Sequence, residues 1–141
     1  MALTSEATTV WNGSLFEGAG TVSLDSSKAA EFPVNWKARS EGAPHTTNPE
    51  ELLGAAHAAC FSMAFSLALT QAGHTPDSIQ TTAAVTFEPG KGVLGSHLLV
   101  NAVVPGISEE EFHRIAEDAK VNCPISQALA SIPITLEAEL A

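Results

Sequence analysis

The chemically distinctive residues of this chain are its two cysteines. Cys60 and Cys123 are the only cysteines among 141 residues. The N-terminus, MALTSEATTV, has neither a basic start nor an apolar run, so we expect no signal peptide and a cytoplasmic location. That reducing compartment disfavours a permanent disulfide but permits a transient catalytic one. The alternative is a pair of inert buried thiols, since free cysteine is among the most buried residue types.

A reactive thiol also needs positive charge nearby, because the thiolate is the nucleophile and a cation lowers the thiol pKa. Arginine suits this role, since its charge is permanent and its fork can bind both sulfur and oxygen. The chain has two arginines, Arg39 and Arg114. Arg114 lies in a predicted amphipathic helix, and we interpret it as a solvated surface charge. Arg39, in a predicted loop (37–48) before the helix of Cys60, is the better candidate. Reduction of a hydroperoxide is one reaction for such a thiolate and cation.

The helix that carries Cys60 has a clear start. Asn48 can cap it, Pro49 suits its first position, and Glu51 stands where a capping-box carboxylate belongs. The helix should run to Gly73, about 36 Å, with apolar residues around nearly its whole circumference. A helix that is apolar all round is a buried helix. One chain of this size cannot surround it, so we predict an obligate dimer.

The other helices and strands are predicted from short segments of regular polarity and from the turn and capping residues between them. Alternating segments at the start predict a three-stranded meander, and two later segments joined by PGKGVLG predict a hairpin. Ser108 and Glu111 form a second capping box for a helix to about Val121, with Phe112, Ile115, Ala116 and Ala119 on its apolar face. A short helix and a final strand, PITLEAEL, complete the order βββ-α-ββ-α-α-β. The predicted class is α+β, in a single domain over residues 1–141.

Cys123 is predicted to lie at the start of that short helix. Pro124 biases the residue before it away from helical conformation, yet can itself begin a helix. The N-terminal end of a helix dipole favours a thiolate. This position favours a redox role for Cys123 over the alternative of a buried or capping thiol.

The charge balance excludes some partners. The chain has 6 Lys and Arg against 16 Asp and Glu, a formal net charge of −10, which opposes binding to nucleic acids and to anionic membrane surfaces. We also expect no apolar stretch to reach the roughly 20 residues of a membrane span. The sequence therefore predicts neither a nucleic-acid partner nor a membrane partner.

His57 lies three residues before Cys60 and so shares its helical face, which invites a Cys–His pair or a metal site. A structural zinc ion usually takes four ligands in recognisable pairs, and one histidine beside one thiol falls short. We therefore interpret His57 as a structural residue, packed or hydrogen-bonded in the interior. Phe61 and Met63 are predicted core residues, with the alternative that they line a pocket for an alkyl chain.

Two segments carry a family resemblance: TNPEELLGAAHAACFSMAFSLAL, from Thr47 to Leu69, and NCPISQAL around Cys123. With the TTVWNGSLFEGAGTVSLDS start, the RSEG loop and VPGISEEEF, the chain resembles the OsmC/Ohr peroxidase family, specifically its OsmC branch, through nearly its whole length. The resemblance implies an OsmC-like fold, with antiparallel sheets around long central helices in an intertwined dimer.

The resemblance also implies roles for four residues. Cys60 would be the peroxidatic cysteine, Cys123 the resolving cysteine, Arg39 the activating guanidinium, and Glu50 the carboxylate that positions the arginine. Organic hydroperoxides, and also hydrogen peroxide, would oxidise Cys60 to a sulfenic acid, which Cys123 would convert to a disulfide. A dithiol reductant, such as a dihydrolipoyl group or a small dithiol, would restore the enzyme. No metal and no organic cofactor is implied.

Helical rise adds an expectation of its own. Glu50 and Cys60 are ten residues apart, which in one unbroken helix separates them by about 15 Å along the axis. We therefore predict that Glu50 serves Cys60 of a partner chain, with two such helices antiparallel about a two-fold axis. Two other functions stay open from the residues: a non-enzymatic redox sensor, and a metal or small-ligand binding protein that uses His57 and Cys60.

Overall fold

The computed structural model describes residues 1–141. The chain divides into two compact units, Met1–Leu52 and Leu53–Ala141. Each unit is described separately below, and a single domain over residues 1–141 stays a prediction.

The first unit contains the predicted meander. Its strands are β1 (Ala7–Asn12), β2 (Ala19–Leu24) and β3 (Glu31–Val34), in the sheet order β1-β2-β3. Both pairs are antiparallel, with Ala7 opposite Leu24 in the first. The local alternation of polar and apolar residues was thus sufficient to predict all three strands.

A short helix, α1 (Trp36–Ser40), replaces the first part of the predicted loop 37–48. The Asn35 side chain caps α1 by accepting a hydrogen bond from the Ala38 N–H at 2.8 Å, and Ala38 is buried. The loop prediction was wrong here because the Gly and Pro residues that motivated it all lie beyond Ser40. Arg39 therefore lies on a helical turn, which restricts its backbone more than a loop would.

The long helix α2 (Pro49–Gln71) begins as predicted. Asn48 Oδ1 accepts a hydrogen bond from the Glu51 N–H at 2.8 Å, as expected of an N-cap residue. The Glu51 carboxylate bonds the Thr47 hydroxyl, so Glu51 stabilises the turn before the helix. Gly73 lies just beyond the end of α2 with φ +91°, the left-handed conformation common after helices.

In the second unit, one face of α2 packs into the core. Phe61, Phe65 and Leu69 are fully buried, and the Phe65 ring lies 5.4 Å from the ring of Phe112. The opposite face remains open, with Met63 73% exposed. The prediction that α2 is apolar all round is correct, but this chain covers only one side of it.

By length and composition alone, α2 could cross a membrane, with 23 residues and a mean hydropathy of 1.7. The expectation that no stretch is long enough was wrong, because its small polar residues interrupt the apolar letters without lowering the mean hydropathy much. Core helices of water-soluble proteins meet the same criterion. In this chain 28% of that stretch of α2 is buried, and Ser62 Oγ lies 2.7 Å from Thr81 Oγ1 of the neighbouring sheet.

The sheet of the second unit has the order β4-β5-β6. β4 (Ser78–Glu88) and β5 (Gly92–Val103) form the predicted antiparallel hairpin, with longer strands and a shorter turn than expected. β6 (Ile134–Leu140) pairs with β5 in parallel, which corrects the expectation of purely antiparallel sheets. The reason is the connection: α3 (Glu109–Asn122) and α4 (Pro124–Ala128) form a crossover from β5 to β6, so β6 returns in the same direction. The α+β class is confirmed.

Ser108 caps the start of α3 as predicted, whereas the Glu111 carboxylate lies near His74 and Arg114. Ser108 Oγ accepts a hydrogen bond from the Glu111 N–H at 3.2 Å, and the buried residues are the four of the predicted apolar face: Phe112, Ile115, Ala116 and Ala119. Cys123 ends α3 and is the N-cap residue of α4, as the Cys–Pro sequence predicted.

His57 ties three elements of this unit together. Its Nδ1 lies 2.7 Å from Ser96 Oγ of β5, and its Nε2 lies 2.8 Å from Ser126 Oγ of α4. The side chain is fully buried, and this burial lowers its pKa below the ordinary value. The interpretation of His57 as a hydrogen-bonded interior residue is confirmed, and the ring is held in its neutral form.

We predict that acid destabilises the fold through His57. The unfolded chain takes up a proton on this ring below about pH 6.5, whereas the folded chain excludes it, so acid favours unfolding. The free energy of unfolding should therefore decrease with decreasing pH, with a His57 contribution approaching about 1.4 kcal/mol per pH unit. Urea unfolding between pH 7.5 and 5.5 measures this slope.

His57→Gln should remove this component of the slope. His113→Gln is the control, because it makes the same replacement at a side chain that is 52% exposed and lies outside the buried network of His57. A free energy of unfolding that stays constant over the range, or an equal slope in the wild type and His57→Gln, would contradict the prediction.

Candidate active site

The second unit brings the two cysteines together. Cys60 projects from α2 and is partly buried, whereas Cys123 at the start of α4 is fully buried. Both are free thiols, Cys60 packs against the buried cluster that contains Cys123, and each thiol shifts the pKa of the other. The two sulfur atoms therefore lie side by side before any oxidation.

The surroundings of Cys60 disfavour its thiolate. Burial is the largest factor that raises the pKa of Cys60, and the hydrogen bond with Cys123 raises it further. The backbone N–H of Ile125, which bonds the sulfur, lowers it only in part. Cys60 therefore needs positive charge from elsewhere to become a strong nucleophile at neutral pH.

Cys123 lies in the opposite environment. Burial raises its pKa too, but the neighbouring Cys60 thiol and the polar groups of Ser126 and Ile125 at the start of α4 more than offset this effect. The net effect lowers the pKa of Cys123. Of the two thiols, Cys123 is therefore the one that ionises more readily. The attacking role of Cys60 would require the opposite.

An open apolar groove of about 880 Å³ adjoins Cys60. Met63, Leu67 and Pro124 line it, together with alanines of α2, and Asp118 and Asn122 form its polar margin. Of the two residues with alternative interpretations, Met63 lines this groove and Phe61 belongs to the core. An apolar groove that ends at a thiol suits a ligand with an alkyl portion.

The first unit contains the pair of Arg39 and Glu50. Arg39 Nη2 lies 2.8 Å from Glu50 Oε1, and Arg39 Nε lies 3.1 and 3.2 Å from the two carboxylate oxygens. Glu50 is buried, with 6% of its surface exposed. Such a two-point pairing fixes the plane of the guanidinium as well as its position. The carboxylate thus holds the arginine as the resemblance implied.

Arg39 also borders an apolar cavity of about 300 Å³ within the first unit. Trp11, Leu15, Trp36 and Leu52 are among its lining residues. One third of the Arg39 side chain is exposed, so its orientation is fixed by Glu50 while part of the guanidinium stays open to solvent.

Arg114 has the surface position that the sequence predicted. Its side chain is 62% exposed and lies 3.9 Å from both Glu111 and Asp118 of the same helix. Ion pairs at such exposure contribute little. Arg39 is the better placed of the two arginines for chemistry.

Ser96 and Ser126 are not recognisable as functional residues from their type. Both hydroxyls bond the His57 ring, so neither ring nitrogen is left for Cys60. The Cys–His nucleophile pair weighed from the sequence is therefore not formed. No group of three or more His, Cys, Asp or Glu side chains is arranged to hold a metal ion. Only the spacing of Ser126, three residues after Cys123, offered a local signal.

Comparisons with known proteins agree with this arrangement of elements. Residues 41–137 match the family model described as OsmC-like protein. The chain is 46% identical over 133 residues to "Peroxiredoxin OsmC" of Escherichia coli (strain K12), covering 92% of each chain.

Solved structures also share the fold. An OsmC-like protein from Mycoplasma pneumoniae aligns with a TM-score of 0.77 at 17% identity, over 100% of this chain and 99% of that one. An organic hydroperoxide resistance protein from Elizabethkingia anophelis aligns with a TM-score of 0.70 at 27% identity, over 100% and 97%. With the family match over most of its length and a relative of this identity, the chain belongs to the OsmC family.

Proposed function

We propose that this protein is a thiol-dependent peroxidase that reduces organic hydroperoxides, with Cys60 as the attacking thiolate. The packing of Cys60 against the cluster that contains Cys123, beside an apolar groove, is the observation that carries this proposal. Family membership supports it, as does the similarity to a peroxiredoxin and to an organic hydroperoxide resistance protein. The cytoplasm, with its reduced thiols, is the compartment that fits such a cycle.

The reaction proceeds in two steps. The Cys60 thiolate attacks the terminal oxygen of the hydroperoxide, the O–O bond breaks, and the alkoxide takes a proton to leave as an alcohol. Cys60 is then a sulfenic acid. Cys123 attacks the Cys60 sulfur, water leaves, and a disulfide forms. Because the two side chains are in contact beforehand, the second step requires little movement.

A dithiol reductant closes the cycle. It attacks the disulfide, forms a mixed disulfide, and leaves as an oxidised dithiol when its second thiol displaces the enzyme. A dihydrolipoyl group is an apolar chain that ends in two thiols, so the apolar groove at Cys60 suits it as well as it suits an alkyl hydroperoxide.

Arg39 and Glu50 supply the charge that Cys60 lacks. The surroundings of Cys60 raise its pKa, so a fixed guanidinium is needed to stabilise the thiolate and the departing alkoxide. α2 is continuous from Pro49 to Gln71, which separates Glu50 from Cys60 by about 15 Å of helical rise. We therefore assign to each Cys60 the Arg39 and Glu50 of a partner chain.

The exposed face of α2 supports a homodimer. Met63 is 73% and Leu67 is 59% exposed, and both are large apolar residues on one side of a long helix. A second copy of α2, antiparallel to the first about a two-fold axis, would cover this face. The same symmetry brings the start of one α2 helix toward the middle of the other.

Substitution of the cysteines tests the peroxidase. With cumene hydroperoxide and dihydrolipoamide, Cys60→Ser should lower steady-state turnover by about a thousandfold or more, because it removes the nucleophile. Cys123→Ser should still consume one equivalent of peroxide but accumulate a sulfenic acid on Cys60. Peroxide consumption and mass spectrometry after trapping with dimedone measure the two outcomes.

Ser62→Ala is the matched control, since Ser62 also lies on α2 and bonds Thr81 instead of the cysteines. The peroxidase proposal would be contradicted if peroxide oxidised the wild-type thiols once and the dithiol did not support repeated turnover. That result would favour the redox sensor.

A mixed dimer tests the assignment of Glu50 to the partner. Glu50→Ala and Cys60→Ser chains with different affinity tags are co-expressed, and the mixed dimer is purified through both tags. One of its two sites then combines an intact Cys60 with an intact Glu50, so about half of the wild-type turnover per dimer is expected. Each variant alone should be nearly inactive.

The reciprocal pairing is the control. A wild-type chain paired with a Glu50→Ala, Cys60→Ser double variant should be nearly inactive, because both of its sites lack one group. If Glu50 acted on Cys60 of its own chain, the activities of the two mixed dimers would be reversed. A monomeric wild-type protein would also refute the assignment.

A further inference from the structure

A line of buried hydrogen bonds leads to Cys123 in the second unit. Ser96 bonds one nitrogen of His57, Ser126 bonds the other, and Ser126 lies three residues after Cys123 in the first turn of α4, where its polar groups lower the pKa of the Cys123 thiol. All four side chains are buried. The peroxidase reaction described above assigns no role to His57, Ser96 or Ser126.

The number of available hydrogens limits which group donates and which accepts in each of these contacts. A hydroxyl has one hydrogen and neutral imidazole has one N–H, so each can donate only once. Where Ser126 donates to the Cys123 sulfur, its oxygen must accept from the Nε2–H of His57, and Nδ1 must then accept from the Ser96 hydroxyl. In this arrangement all three donors point toward Cys123.

We propose that His57 and Ser126 prepare Cys123 for its attack on the oxidised Cys60. Ser126 donates a hydrogen bond to the reacting sulfur, and His57 is a positioning residue that acts through Ser126. This inference rests on the proposed peroxidase function and concerns only its second step.

The chemistry of that step explains the need for a donor. The Cys123 sulfur gives its electron pair to the Cys60 sulfur, an S–S bond forms, and the S–O bond of the sulfenic acid breaks. The Cys60 sulfur is thereby reduced and the Cys123 sulfur oxidised, and the proton lost by Cys123 ends in the departing water. A hydrogen bond to the Cys123 sulfur stabilises the thiolate that begins this step.

His57 is required because a serine hydroxyl alone would not keep its direction. A helical serine can turn its hydroxyl toward a backbone carbonyl of the preceding turn. The Nε2–H of His57 occupies a lone pair of the Ser126 oxygen at 2.8 Å, which leaves the hydroxyl hydrogen free to point at Cys123. Ser96, 2.7 Å from Nδ1, fixes which ring nitrogen carries the proton.

Ser126→Ala tests the proposal, because it removes the donor and a small side chain only. Peroxide at one equivalent is mixed with the reduced dimer, and samples are quenched over time. Dimedone trapping reports the sulfenic acid, and mass spectrometry reports the disulfide. We expect disulfide formation to slow by about tenfold or more, while Cys60 oxidation stays within about twofold of wild type.

Ser126→Thr retains a hydroxyl and should restore most of the rate of disulfide formation. Ser62→Ala, which removes another hydroxyl in the same unit, should change neither step. His57→Gln should slow disulfide formation as Ser126→Ala does, and if it fails to fold, the two Ser126 variants decide the question.

Different results refute the two proposals. A wild-type protein whose Cys60 never becomes a sulfenic acid would overturn the peroxidase and, with it, this inference. A wild type that forms the sulfenic acid, with Ser126→Ala closing the disulfide at the wild-type rate, would overturn the inference alone. Equal slowing of both steps in Ser126→Ala would also overturn it, since that is the effect of a general loss of packing.

Discussion

The continuity of α2 is the constraint on which most of this molecule depends. A helix of 23 residues is stiff and fixes the spacing of every group that it carries. It places Glu50 in its first turn, Cys60 near its middle and the buried Phe65 beyond, and it holds His57 in reach of two other elements. Its apolar composition makes one face a core and leaves the other exposed. In the dimer that we propose, assembly and chemistry are coupled, because an interface along this helix would also be the approach to Cys60.

The local part of the fold could be predicted from the sequence, and the non-local part could not. Asn48 and Ser108 marked the helix starts because a cap bonds residues close by in the chain. The parallel pairing of β6 with β5 depends on the path of the chain between them, which no local pattern records. The helix α1 was missed although its cap, Asn35, was local, because glycine and proline farther along dominated the interpretation.

The same distinction applies to the site. Cys60, Cys123, Arg39 and Glu50 were found because the family pattern surrounds them, and the contact of Arg39 with Glu50 follows from their presence within one unit. The bonds of His57 reach across 39 residues to Ser96 and across 69 residues to Ser126. Neither serine stands out by type, and only Ser126, three residues after Cys123, has a suggestive spacing. Such a network exists only once β5 and α4 are in place.

The two steps of the proposed reaction need negative charge on different sulfur atoms. This difference explains why a cation is proposed at Cys60 and a hydrogen-bond donor at Cys123. Cys60 must be the thiolate first, although burial and Cys123 raise its pKa, so its activation requires a full positive charge. Cys123 must be the thiolate second. A cation beside Cys123 would hold the charge there from the beginning and leave Cys60 protonated. In our proposal a hydrogen bond from Ser126, which a histidine of lowered pKa holds in place, is weaker than a cation. A guanidinium at Cys60 can therefore override it until oxidation removes the competing thiolate.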